Sequence, residues 1–218
     1  MNSHPVRPPP DCRHPDWKSH WETLYSEKDH ASVSWFQSHP QHSLSLIEHS
    51  GVGTKARIID VGGGASTLVD HLLEAGYRDL TVLDIAHTAI RQAQGRLGER
   101  SQRVTWVEGD ITSHAPGKPY HIWHDRAVFH FLTSEHDRAC YVDVMQKALR
   151  PAGQVIIATF SEAGPDQCSG LDVVRYSPET LNQALGMQLR LVETLTDEHR
   201  TPDGGVQQFV YCRFVLNT

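Results

Sequence analysis

Three aspartates, each closing a short apolar run, carry the spacing that bears most directly on chemistry. Ile58-Ile59-Asp60-Val61 enters Gly62-Gly63-Gly64 and then the helical spacing Leu68, Val69, Leu72, Leu73: a buried strand, a tight turn and a helix. Glycine has no Cβ, so a ligand can lie against this turn, and the helix start beyond it offers free N–H groups. Leu80-Thr81-Val82-Leu83-Asp84 closes twenty residues after Gly64, the spacing at which a carboxylate accepts hydrogen bonds from ribose hydroxyls. A third run, Val104-Thr105-Trp106-Val107, leads into Glu108-Gly109-Asp110-Ile111. In an open parallel sheet these strand ends share one edge, beside the crevice where ligands bind. An acid ahead of the glycines would repel a pyrophosphate but suits an ammonium or sulfonium. Thr67 stands where a dinucleotide fingerprint wants its third glycine.

A second polar group interrupts the apolar run after a fourth strand, Tyr120 to His124: Asp125, Arg126 and His130 follow, with Phe129 between them. A histidine here could take a proton near neutrality, and Arg126, or Arg175 beside Tyr176 further on, could bind a carboxylate or steady a thiolate. The bland alternatives are a local Asp125–Arg126 ion pair and a buried, structural His130. Cys168, His199 and Cys212 could together offer soft ligands to a metal or metalloid, although their spacing follows no known site.

The elements that must position these groups alternate. Residues 1–14, rich in proline, read as a flexible tail. From Pro15 a helix carries Trp17, Trp21, Leu24 and Tyr25 on one face, which either packs on the domain or covers a sulfonium by cation–π attraction. Trp35-Phe36 follows, and a helix through Leu44, Leu46 and Ile47 stops at Gly51, so that about residues 15–53 form a helical cap. Helices near His87–Leu97, Ser134–Leu149 and Pro178–Leu185 separate the later strands, with strand five at Gln154–Phe160 and a loop over 161–176. Two alternating strands, Leu189–Thr196 and Val206–Val215, close the chain. The expected fold is α/β: a doubly wound, seven-stranded, mostly parallel sheet with a C-terminal antiparallel hairpin, forming one domain over 15–218.

Composition narrows the classes. A chain of 218 residues, 39% hydrophobic and 21% charged, suits one soluble domain with a full core. A net charge of −6 gives no footprint for nucleic acid. No apolar run approaches the roughly 18 residues of a membrane span and no signal core opens the chain, so the cytoplasm is the expected address. Four scattered cysteines without a C-x-x-C pair point to reduced thiols and to no zinc site. Size and polarity suit a monomer.

Asp60-x-Gly62-x-Gly64 after a hydrophobic strand resembles the first motif of class I S-adenosylmethionine-dependent methyltransferases. Leu149-Arg150-Pro151-x-Gly153 before strand five resembles their corresponding stretch, as does the closing hairpin. The resemblance spans roughly residues 15–216. It implies S-adenosyl-L-methionine as cofactor, with Asp60, Gly62, Gly63 and Gly64 by its methionine end, Asp84 at the ribose with Ile85 beside it, and Asp110 accepting the adenine amino group while Ile111 packs on the ring. Trp21 and Trp35 would cover it. The run Ile122-Trp123-His124-Asp125-Arg126 is similar to the equivalent stretch of thiopurine and other thiol methyltransferases, with His124 inserted, and Trp35-Phe36 with an acid after strand four is similar to small protein-lysine methyltransferases.

The implied reaction is in-line transfer of a methyl group to a small-molecule nucleophile, for example a thiol, with His124, Asp125 and His130 as catalytic candidates and Arg126, Phe129, Arg175 and Tyr176 at the acceptor. A protein lysine is the alternative acceptor. An NAD(P)-dependent oxidoreductase or a non-catalytic nucleotide-binding regulator would be the reading from another class. An oxidoreductase more often continues with βαβ units where this chain ends in a hairpin.

Overall fold

Parallel order follows from the connections: helices link the first strand to the second, the second to the third and the fourth to the fifth, and crossovers of this kind join strands that run the same way. In the computed structural model, which describes residues 15–114 and 117–217, these strands are β1 (Arg57–Val61), β2 (Asp79–Asp84), β3 (Val104–Glu108), β4 (Tyr120–Arg126) and β5 (Leu149–Phe160). The tail expected over residues 1–14 lies outside the described residues. A hairpin of β6 (Leu189–Arg200) and β7 (Val206–Leu216) completes one seven-stranded sheet of order β3-β2-β1-β4-β5-β7-β6, antiparallel only at β5–β7 and β7–β6. The helices are α1 (Pro15–Glu27), α2 (Gln41–His49), α3 (Leu68–Glu74), α4 (His87–Leu97), α5 (Glu135–Ala148) and α6 (Pro178–Leu185).

Alternation along each strand sends its side chains to two faces, and each face builds its own core. Ile59, Val61, Trp123, Val155 and Ile157 pack with Tyr141, Met145, Leu181 and Leu185 of α5 and α6. Ile58, Val82, Ile122, Ile156 and Ala158 pack with Leu46 and Ile47 of α2 and Leu68 and Leu72 of α3. Periodicity located every one of these elements but shortened three strands. β4 and β6 run on to Arg126 and Arg200, because neighbouring strands pair with polar residues that alternation alone would leave in loops, and β5 begins at Leu149 rather than Gln154, with Leu149 pairing Tyr120 across a bulge. Within the expected loop 161–176, Gln167–Cys168 pairs with Leu171–Asp172.

The cap is stitched to this frame by side chains. Glu22 of α1 accepts the His87 and Thr88 N–H groups at 2.6 and 3.1 Å, satisfying free donors at the start of α4. Lys18 pairs with Glu108. Over residues 34–38, the carbonyls of Ser34, Trp35, Gln37 and Ser38 bond His199, Arg126, Thr67 and His71 in turn. No helix of the described residues is long and apolar enough to cross a membrane.

One buried polar network ties β4 to α5. Trp123 Nε1–H donates to the Tyr141 hydroxyl at 2.7 Å, which donates to Asp125 Oδ2 at 2.6 Å. Removing that hydroxyl leaves a buried indole donor and a carboxylate oxygen short of a partner. Tyr141→Phe is therefore expected to cost about 1–3 kcal/mol, read as a lower urea midpoint with an unchanged slope; no loss of stability would show that the network is dispensable.

Candidate functional site

The turn after β1 is built so tightly that it admits no side chain. Gly62 has φ +66°, and a Cβ there would lie 2.1 Å from Val128 Cγ2. At Gly63 it would meet Asp60 Oδ2 at 2.3 Å, and at Gly64 it would meet Ala89 Cβ and Asp84 Oδ2, both at 2.6 Å. The backbone of the turn thus rests directly on the two carboxylates that close β1 and β2. Gly62 N–H donates to Leu83 O at 2.7 Å, and Asp84 accepts Gly64 N–H at 3.0 Å and Ala86 N–H at 2.8 Å. Burial pushes the Asp84 carboxyl up to about 6, against the pull of those two donors.

Beside the turn opens a cavity of about 780 Å³, its mouth included. Gly62, Asp84, Ile85, Asp110 and Ile111 line it from the strand ends, and Trp17, Trp21, Tyr25 and Trp35 line it from the cap. Trp21 meets Phe131 edge-on at 5.1 Å and Trp35 at 5.8 Å between ring centroids. These edge-to-face contacts hold the rings as one aromatic wall. Asp110 binds the Thr112 N–H and hydroxyl through Oδ1 at 2.8 and 2.7 Å, leaving a buried Oδ2 without a partner. A second cavity, about 550 Å³, shares Tyr25, Trp35, Val61, Gly62 and Arg126 with the first and adds Ser43, Asp60, Gly63 and His124.

The polar run at the end of β4 is divided by strand alternation. His124, in register with Asp60, takes the α2 face: its Nδ1 lies 2.7 Å from Asp60 Oδ1 and its Nε2 2.9 Å from Ser43 Oγ. Asp125 takes the α5 face. It accepts the Val128 and Phe129 N–H groups and the Tyr141 hydroxyl, is fully buried and is pushed up to about 6 by that burial. It shapes the turn that holds Ala127 at φ +70° and lines neither cavity. Arg126 returns to the α2 face, donating to the Tyr211 hydroxyl and the Trp35 carbonyl, both at 2.8 Å, over the Phe209 ring at 4.5 Å. Its buried Nη2 has no partner, and among the described residues no carboxylate forms an ion pair with it.

Several expected groups stand elsewhere. His130 is wholly buried between Phe131 and Phe160, where desolvation drives its pKa down to about 3; it lines neither cavity, and a neutral core ring is the outcome. Phe129 and Tyr176 belong to the α5-face core, and exposed Arg175 donates to the Glu162 and Gly164 carbonyls. Cys168 and Cys212 lie in cores on opposite faces of the sheet, His199 bonds Ser34 O, and no group of three metal-ligating residues occurs among the described residues. The expectation of four reduced thiols is corrected at Cys140, which is disulfide-bonded; sequence separation says nothing about which thiols meet.

Trp17, Tyr25, Ser43, Val128 and Phe131 are also in the lining. The helical aromatic spacing signalled Trp17 and Tyr25. Nothing in the sequence signals Ser43, which meets His124 from 81 positions away. The arrangement offers a strip of apolar wall and carboxylates, a cationic guanidinium, and no imidazole in the lining of the larger cavity.

Residues 58–153 match the family model for a methyltransferase domain. The eEF1A lysine and N-terminal methyltransferase of Mus musculus is 25% identical over 93 residues, covering 43% of this chain and 13% of that protein. That of Bos taurus is 22% identical over 139 residues, covering 63% and 19%. The chain thus spans less than a fifth of the curated relatives it matches. Among solved structures, one described as "Conversion of a Disulfide Bond into a Thioacetal Group during Echinomycin Biosynthesis" is 15% identical with a TM-score of 0.74, covering 92% of both chains. The N-methyltransferase NodS from Bradyrhizobium japonicum, in complex with S-adenosyl-L-homocysteine, is 19% identical with a TM-score of 0.67, covering 90% of this chain and 98% of that one. At such identities these structures speak for the fold.

A ribose that donates to Asp84 favours its ionised form, which predominates above about pH 6. Affinity for S-adenosyl-L-homocysteine is expected to fall as pH drops through about 6 and to lose that dependence in Asp84→Asn, measured by calorimetric titration between pH 5 and 8. An unchanged profile in the variant would assign the pH effect to another group.

Proposed function

We propose that the chain is an S-adenosylmethionine-dependent methyltransferase of class I, a reading supported by its match to a methyltransferase domain and by its fold, and that its acceptor is a small anionic nucleophile seated against Arg126. The observation that carries this reading is the unpartnered, buried Nη2 of Arg126 at the C-terminal edge of β4, in the wall of both cavities. A guanidinium held by a phenol, a carbonyl and a ring face, with one edge unused, is suited to a thiolate or carboxylate.

The chain's own residues suit the cofactor. The glycine turn leaves room where side chains would stand, and the unpartnered oxygens of Asp60 and Asp110 are acceptors for its ammonium and its adenine amino group. Asp84 takes the ribose, Ile85 and Ile111 flank the base, and Trp21 and Trp35 cover the site and exclude water. When bound, the sulfonium supplies an electrophilic methyl carbon. The protein then aligns the acceptor lone pair opposite the departing sulfur, which is mainly a matter of position.

Proton removal is not where these residues help. His130 stays neutral in the core, both His124 nitrogens are engaged, and burial pushes the Cys168 thiol up to about 11. An acceptor must arrive with its lone pair available, as a thiolate, a free amine or a ring nitrogen does. The curated relatives act on lysine and protein N-termini by name, which keeps a protein acceptor as the second reading. Against it stand the aromatic cover over the site and a cation at the acceptor end, which would repel a lysine.

The test is release of S-adenosyl-L-homocysteine from S-adenosyl-L-methionine with two acceptor pools, small thiols and carboxylate-bearing amines in one, a protein extract in the other. Turnover with the small pool is expected, and Arg126→Ala should raise KM for its anionic members by about tenfold or more, with Arg126→Lys between the two. Turnover with protein alone, or a KM indifferent to Arg126, would overturn the small anionic acceptor.

A further inference from the structure

Three buried side chains outside the acceptor end form one hydrogen-bonded line. Ser43 of α2, His124 of β4 and Asp60 of β1 are 1%, 2% and 4% exposed, with the ring nitrogens of His124 at 2.9 and 2.7 Å from Ser43 Oγ and Asp60 Oδ1. An ionised carboxylate only accepts, so Nδ1–H donates to Asp60, and in the neutral ring Nε2 accepts from the Ser43 hydroxyl. Both ends of the imidazole are fixed, and with them the plane of the Asp60 carboxylate.

That fixing leaves one oxygen with a defined direction. Asp60 Oδ2 is buried and has no hydrogen-bond partner, and it lies against the glycine turn so closely that a Cβ on Gly63 would meet it at 2.3 Å. Ser43, His124, Asp60, Gly62 and Gly63 all border the smaller cavity, which adjoins the larger one through Gly62 and Val61. A buried, unsatisfied carboxylate oxygen costs the fold unless something donates to it. The strand register pairs Asp60 with His124, so the two side chains share a face, and the histidine bonds the first oxygen.

We infer that His124 is a positioning residue: anchored by Ser43, it turns Asp60 so that the free oxygen receives the ammonium group at the amino-acid end of the cofactor. This rests on the cofactor site proposed above. It also ties α2 of the cap to cofactor recognition, because Ser43 holds the far side of the ring. The role goes beyond filling the core, since a merely structural histidine would support every part of the cofactor pocket alike, whereas this one acts on the end that carries the amino group.

The difference is measurable with two ligands, S-adenosyl-L-homocysteine, which has the amino-acid end, and 5′-methylthioadenosine, which has the adenosine and thioether but lacks it. Wild-type protein is expected to bind the first more tightly. His124→Gln cannot present a donor at the Nδ1 position, and should weaken S-adenosyl-L-homocysteine by about tenfold or more while leaving 5′-methylthioadenosine within about twofold. His124→Asn places an N–H near the Nδ1 position and should recover most of the loss, and Ser43→Ala should fall between. Binding of 5′-methylthioadenosine serves as the check that each variant is folded; if both histidine variants fail it, Ser43→Ala and the isosteric Asp60→Asn carry the same comparison. Equal weakening of both ligands, or no weakening of either, would overturn the positioning role. A wild-type protein that binds neither ligand would instead overturn the cofactor site, and one that binds both equally would leave that site standing while removing the recognition of the amino group.

Discussion

The constraint on which the site depends is the contact between the Gly62–Gly64 backbone and the carboxylates of Asp60 and Asp84. No side chain fits at any of the three positions, so the turn can close directly over the ends of β1 and β2. Burying two carboxylates is costly, and the turn itself offsets part of that cost: Gly64 N–H, with Ala86 N–H, satisfies Asp84. Asp60 is satisfied from the other side, by His124. What remains unsatisfied, one oxygen of Asp60 and one of Asp110, lies at the edge where the parallel strands end. The polar bookkeeping of the fold and the shape of the ligand site are therefore one problem with one solution.

The second constraint is the two-residue period of β4. His124, Asp125 and Arg126 are adjacent in sequence and look like a single catalytic cluster, yet they serve different layers. His124 and Arg126 work on the α2 face, toward the cap and the cavities, while Asp125 is claimed by Tyr141 and by the N–H groups of the turn. Cys168, in the small two-stranded pair, and Cys212, in the main sheet, fall in different cores and form no shared soft site.

These divisions mark what was legible in the sequence. The strand, glycine turn and helix, the acids at three strand ends and the closing hairpin are local patterns: each is set by residues within a few positions, and the structure holds all of them. The aromatic face of α1 was legible as a face, although only the tertiary structure shows it set against Phe131 and Trp35. Partnerships across long separations were not legible. Ser43 with His124 and Asp125 with Tyr141 depend on which elements become neighbours, and helix-to-sheet packing leaves no periodic trace in the residues concerned.

Titratable residues inside an apolar run are ambiguous for a physical reason. The apolar neighbours that suggest a sheltered active site also withdraw water, and desolvation moves an imidazole down and a thiol up, away from neutral-pH proton transfer. His130 is driven down to about 3 and Cys168 up to about 11 by that effect, so the burial that makes them conspicuous also removes them as a base and a nucleophile. Arg126 is held differently, by aromatic and carbonyl neighbours that stabilise a guanidinium without neutralising it. A site stocked with one permanent cation and aligned carboxylates, and with no free base in its larger cavity, is adapted to a reaction whose barrier is lowered by placement. Methyl transfer from a sulfonium to a ready nucleophile is such a reaction.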